Sequence, residues 1–199
     1  MTKAELRCPV SAVVIGASAG GVEALGYLLA GLPSGFIPAL IAVQHLAPTF
    51  PSLLPRLFAQ RCDLPVAEAE DKMPVESGHV YIAPPDYHLL VERNSSDSQS
   101  VHFAMSIDPP VRFSRPSIDV LFESAAYAYG KRLLGIVLTG ANDDGAQGLL
   151  AIRAAGGSTW VQEPSTAEAP TMPYAAISIG AAATVLTLDQ ISACLARFC

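Results

Sequence analysis

Ala12-Val13-Val14-Ile15-Gly16-Ala17-Ser18-Ala19-Gly20-Gly21 is a short β-branched run that ends in a glycine-rich turn. Such a run suits a buried strand, and Gly16 breaks what could otherwise pass for the apolar part of a signal peptide behind Lys3 and Arg7. Beyond the turn, Val22, Leu25, Leu28, Leu29 and Leu32 recur at helical spacing, which predicts a helix over 20–32. Pro33-Ser34-Gly35 stops it, and a second apolar run follows over 39–43. Strand, helix, strand is the unit of a parallel sheet with its faces covered.

The same alternation continues outward. Thr49 is placed to cap a helix with Pro51 in its first turn, running to about Arg61. Residues 79–83 read as a strand. Residues 87–92 and 101–105 flank the polar tip Asn94-Ser95-Ser96-Asp97-Ser98, which marks an antiparallel hairpin at the edge of the sheet. A helix over 117–129, a central strand over 133–139 and a helix over 146–155 follow, then strands near 158–161 and 183–186 and a closing helix over 188–198. The expected fold is therefore α/β, a three-layer doubly wound, mostly parallel sheet with an antiparallel edge hairpin. The expected organisation is a short N-terminal tail over 1–11 and one domain over 12–199.

Composition bounds the function. Hydrophobic residues make up 51% of the 199 and charged residues only 15%, which fits strands buried on both faces. No apolar run approaches the roughly 20 residues that span a bilayer, so direct membrane insertion is not expected. A formal charge of −6 offers no basic footprint for nucleic acid. Cys8, Cys62, Cys194 and Cys199 form no C-x-x-C pair and have no histidines at zinc spacing, so reduced thiols in a cytoplasmic protein are expected.

Three loops follow apolar strands: 16–21, Gln44-His45, and Gly140-Ala141-Asn142-Asp143-Asp144-Gly145. In a doubly wound sheet such loops converge at the carboxyl ends of the strands. They bring a serine, a histidine and two aspartates to one edge. A serine hydroxyl becomes a useful nucleophile when an imidazole takes its proton, and the imidazole needs an acid to orient it. Each residue also has a plainer use. Ser18 can simply cap the helix, and His45 can be a packed imidazole. A dinucleotide site is a further rival, but the glycine spacing is not G-x-G-x-x-G and the second strand ends in Gln44-His45, with no acid for a ribose. His79, His88 and His102 lie in or beside the hairpin. Between Asp143 and Asp144, one meeting His45 and the other capping a helix, the residues alone do not choose.

The segments over 14–21, Gln44-His45, Tyr81-Ile82-Ala83-Pro84-Pro85-Asp86, Arg115-Pro116-Ser117-Ile118-Asp119-Val120-Leu121-Phe122 and 138–146 closely resemble the catalytic domain of the chemotaxis protein-glutamate methylesterases, the CheB family. The resemblance spans about 12–195. It implies an esterase that hydrolyses γ-glutamyl methyl esters on cytoplasmic signalling helices of chemoreceptors, releasing methanol, with deamidation of receptor glutamines as a second activity. By the same resemblance Ser18 is the nucleophile, His45 the base and Asp144 the acid, and backbone N–H groups near Ala19 and Ala141 hold the oxyanion. No metal or cofactor is implied. The chain departs from the family pattern in having Ala19 where a hydroxyl residue is common and Gly140-Ala141-Asn142 where relatives often read Gly-Met-Gly. Nothing precedes Ser11 but a short tail, so no phosphorylation-receiver domain is expected. The alternatives are a related hydrolase or amidase acting elsewhere, and a weakly active module that docks on receptor helices.

Overall fold

The computed structural model describes residues 9–45, 52–93 and 100–199. Seven strands form one sheet: β1 (Ala12–Ala17), β2 (Ala39–Gln44), β3 (Val66–Glu68), β4 (Val80–Ile82), β7 (Leu133–Val137), β8 (Ser158–Gln162) and β9 (Thr184–Leu186). Two further strands, β5 (His88–Arg93) and β6 (Val101–Ser106), pair only with each other. The sheet runs β3-β4-β2-β1-β7-β8-β9 and every pairing in it is parallel. Helices α1 (Gly21–Ala30), α2 (Leu54–Ala59), α3 (Ile118–Tyr129), α4 (Ala146–Ala154), α5 (Thr171–Ser178) and α6 (Leu188–Leu195) complete the described fold. None of them is long and apolar enough to cross a membrane.

Period-two alternation divides the sheet's side chains between two cores. Val13, Ile15, Leu40, Ala42, Leu134 and Ile136 join Leu25, Leu28, Phe58 and Ile191 from α1, α2 and α6 on one face. Val14, Ile41, Val43, Leu133 and Val137 join Ile118, Phe122, Leu149 and Met172 from α3, α4 and α5 on the other. Strands sandwiched this way must be apolar on both sides, which is why they read as continuous runs.

The structure refines the expected fold in three places. The antiparallel hairpin exists, but as its own two-stranded sheet lying on α3, not along the edge of the large one. Its Leu89, Val91 and Phe103 are buried in the α3-side core, and the Val91 N–H donates to Ser124 Oγ of α3 at 3.1 Å. On its far side β6 meets the segment before it, with Lys72 N–H and Phe103 N–H each donating across the gap at 2.9 Å. The hairpin is thus bordered by that segment along β6 and by α3 against β5, apart from β3 and β9. The short strand β3 and the helix α5 were not expected from the sequence. The helix expected after Thr49 is α2, beginning at Leu54; Thr49 and Pro51 lie outside the described residues.

Candidate active site

The chain leaves β1 toward β2 on one side and returns through β7 on the other, so the order reverses beside β1. That is the position where open α/β sheets form a crevice at the strands' carboxyl ends. The ladder also continues a residue past the strands. His45 N–H donates to the Ala17 carbonyl at 3.0 Å, Ser18 N–H to the Thr139 carbonyl at 3.0 Å, and Leu138 N–H to the Gly16 carbonyl at 2.9 Å. Ser18, His45 and the 138–145 loop therefore emerge side by side.

The Ser18 turn is tightly held. Gly21 N–H donates to the Ser18 carbonyl at 2.8 Å, and Gln44 Nε2 bridges the Ser18 and His45 carbonyls at 2.8 and 3.0 Å. Gly20 has φ 72°, the left-handed region that glycine enters freely. At Gly21 a Cβ would overlap Gln44 Oε1, so the bridge requires glycine there. Thr139 Oγ1 donates to the Ala19 carbonyl and accepts from Ala169 N–H, both at 2.8 Å, tying the turn to the chain ahead of α5.

Asp144 is buried and Asp143 exposed. His45 Nε2 lies 2.9 Å from Asp144 Oδ2, with the histidine side chain 11% and the aspartate 0% exposed. The same carboxylate accepts from Ile118 N–H at 2.7 Å, Ser117 Oγ at 2.9 Å, and Asp119 and Gly145 N–H at 3.0 Å. Burial by itself would raise its pKa. The His45 hydrogen bond and the Ile118 and Asp119 N–H groups together outweigh that and hold it below the usual carboxylate value. Asp143 turns outward to an ion pair with Arg112 at 2.8 Å.

Because Nε2 faces an ionised carboxylate it carries the ring proton, and Nδ1 keeps its lone pair. Two donors approach that lone pair, Ser114 Oγ at 3.4 Å and Asn142 Nδ2 at 3.5 Å. Ser18 Oγ makes no hydrogen bond among the described residues, so serine and histidine are adjacent through their backbones but not yet joined through their side chains. The N–H groups of Ala19 and Ala141 likewise have no partner among the described residues. His45, Asp86, Phe113, Ser114, Arg115 and Pro116 line one cleft. Its wall is held by Arg115, which pairs with Asp86 at 2.7 Å and donates to the Ile107 and Asp108 carbonyls. The other histidines stay outside this cluster. His79 and His102 pair with Glu76 and Glu92, and buried His88 accepts from Ser117 N–H.

Sequence reasoning passed over Ser117, Ser114, Asn142 and the bridging role of Gln44. Ser117 had a signal, a hydroxyl at a helix start. Ser114 had none.

A family model described as CheB methylesterase matches residues 13–195. A Leptospira interrogans protein provisionally named protein-glutamate methylesterase/protein-glutamine glutaminase is 45% identical over 181 residues, 91% of each chain. Protein-glutamate methylesterase/protein-glutamine glutaminase 2 of Rhodospirillum rubrum is 40% identical over 186 residues, which cover 94% of this chain and 50% of that longer one. The crystal structure of the Thermotoga maritima CheB methylesterase catalytic domain superposes with a TM-score of 0.90 at 31% identity, covering 96% of this chain and 100% of that one. With the fold, the motifs and these likenesses in agreement, the chain belongs to the CheB methylesterase family.

Proposed function

We propose that this chain is a serine esterase that hydrolyses γ-glutamyl methyl esters on the cytoplasmic signalling helices of chemoreceptors, and that it works in the cytoplasm as part of the chemotaxis phosphorelay. The names of its relatives support the reaction class. The observation that carries the mechanism is the 2.9 Å His45–Asp144 pair set beside Ser18 at the reversal of strand order.

Ser18 Oγ attacks the ester carbonyl carbon while its proton passes to His45 Nδ1, the nitrogen that Asp144 leaves free. The resulting imidazolium is stabilised by the buried carboxylate. The N–H groups of Ala19 and Ala141 receive the oxyanion, and with no partner among the described residues they are available. Collapse of the intermediate expels the methoxy oxygen, which leaves as methanol with the proton from Nδ1. Water then attacks the acyl-serine by the same route, giving glutamate and restoring Ser18. A glutamine side chain would release ammonia in place of methanol.

Ser114 is the other candidate nucleophile, because its hydroxyl is the one that touches His45. Its surroundings favour Ser18 instead: Ser114 sits on a turn outside the sheet and its own N–H is spent on the Val111 carbonyl, whereas Ser18 stands at the strand ends beside the Ala19 and Ala141 N–H groups, which have no partner among the described residues. The test is methanol release from methylated receptor membranes. Ser18→Ala should lower the rate at least about a thousandfold with an unchanged fold, whereas Ser114→Ala should stay within about tenfold of wild type. Loss on the Ser114 variant with retention on the Ser18 variant reverses the assignment.

A further inference from the structure

The segment Val111-Arg112-Phe113-Ser114 forms a tight turn in which Val111 and Ser114 exchange backbone hydrogen bonds at 3.1 and 2.9 Å. Both central residues have positive φ, 51° at Arg112 and 62° at Phe113. Turns of this kind are normally built from asparagine and glycine, because side chains beyond Cβ are strained there. Phe113 is nevertheless bulky, and it is fully exposed, so no packing among the described residues offsets the strain. Strain held where the fold gains nothing points to a use outside the fold.

The turn's position suggests that use. Phe113 stands on the wall of the cleft that contains His45, and the next residue, Ser114, reaches His45 Nδ1. Arg112 pins the turn to Asp143, the neighbour of the acid, and Arg115 pins its far side to Asp86 and to the Ile107 and Asp108 carbonyls. Ile107 and Tyr87, which flank those anchor points, are exposed apolar side chains as well. A glutamyl ester hangs only three bonds from its backbone. When its carbonyl lies beside His45, the polypeptide that bears it stays close to the cleft that Phe113 lines.

Resting on the esterase reading above, we propose that Phe113 is a specificity-determining residue that selects esters borne on a polypeptide helix. Its ring packs against an apolar residue about one helical turn from the esterified glutamate, where side chains share a face. The strained turn keeps the ring extended before substrate arrives, which reduces the ordering cost of binding. A small ester has no backbone at the rim and gains nothing from it.

The experiment uses the full chain and two substrates, a helical receptor fragment carrying one glutamyl γ-methyl ester and N-acetylglutamate γ-methyl ester. For Phe113→Gly, kcat/KM on the fragment should fall about tenfold or more relative to that on the small ester, chiefly through KM. Phe113→Tyr should restore the ratio, and removal of an exposed aromatic on another surface, Tyr127→Ala, should leave it at the wild-type value. Melting of Phe113→Gly should occur no lower than wild type, since glycine accepts φ 62° without strain. If Phe113→Gly leaves the ratio unchanged, or lowers both substrates in proportion, the specificity role is overturned while the esterase stands. A wild-type chain that cleaves neither substrate overturns the esterase reading itself.

Discussion

Asp144 accepts five hydrogen bonds, from Ser117 Oγ, the N–H groups of Ile118, Asp119 and Gly145, and His45 Nε2. An asparagine there must present its NH2 to one set of donors, and each set contains a backbone N–H. If the NH2 faces His45, the imidazole has to move its proton to Nδ1 and can no longer act as base. Asp144→Asn should therefore cut turnover about a thousandfold or more and cost about 2–3 kcal/mol of stability. Asp143→Asn loses only an exposed ion pair with Arg112, worth at most about 1 kcal/mol, and should hydrolyse a small ester within a few-fold of wild type. Methanol release and urea melts of both variants check this, and equal losses would mean that His45 does not depend on Asp144. Much of this residue pattern was legible, because Ser18, His45 and both aspartates follow apolar strands. The choice between neighbouring aspartates came from the motif alone, since nothing in two identical adjacent side chains says which one turns inward. Ser114 was illegible for another reason: its place depends on Arg115 finding Asp86, a contact with no sequence period.

Helices α3 and α4 start next to each other and exchange carboxylate caps. Asp144, just ahead of α4, accepts the Ile118 and Asp119 N–H groups that open α3. Asp119, in the first turn of α3, accepts the Gly148 N–H in the first turn of α4 at 2.7 Å. Each cap satisfies donors that a helix cannot satisfy internally. The arrangement places two carboxylates near one another in a buried space. Burial foremost, then the charges of Asp144 and Glu123, push Asp119 up to about 6 although Gly148 N–H opposes the shift. A raised acid costs stability in full above about pH 6, less as pH falls, and nothing below its unfolded value near 3.8, where both states are protonated. Asp119→Asn keeps an oxygen for Gly148 and removes the charge. It should stabilise the protein by about 1–2 kcal/mol at pH 7 and by little at pH 4, read from urea unfolding at the two pH values. The opposite trend would show that Asp119 is ionised at a net profit. Most elements could be read from period and punctuation, but α5 could not, because Pro164, Pro170 and Pro173 make its surroundings look like loop. The three-residue β3 is too short to show a period. The hairpin's strands were readable from their own residues, whereas their attachment to α3 rests on Ser124, which no local pattern announces.

Across the whole molecule, one sheet separates two cores that share its strands but not their helices. This much followed from runs such as 12–16 and 39–43, whose uniform apolarity requires cover on both sides. The separation has a thermodynamic consequence. Phe58 of α2 and Phe122 of α3 are both fully buried and belong to opposite cores. Substituting leucine at either removes ring carbons without adding a polar group and should cost about 1–2 kcal/mol. With no shared partner across the sheet, the double variant should show the sum of the single losses within about 0.5 kcal/mol. Activity should not divide evenly. Three of the donors on Asp144 come from Ser117, Ile118 and Asp119 at the start of α3, so a shift of that helix moves the acid. Phe122→Leu should lower kcat on a small ester severalfold more than Phe58→Leu when both are assayed well below melting, since small displacements of catalytic groups are expensive. Urea unfolding of the three variants together with initial rates tests both statements. A coupling above about 1 kcal/mol would mean that strain crosses the sheet and the cores act as one. Equal losses of kcat would mean that α3 does not set the position of the acid.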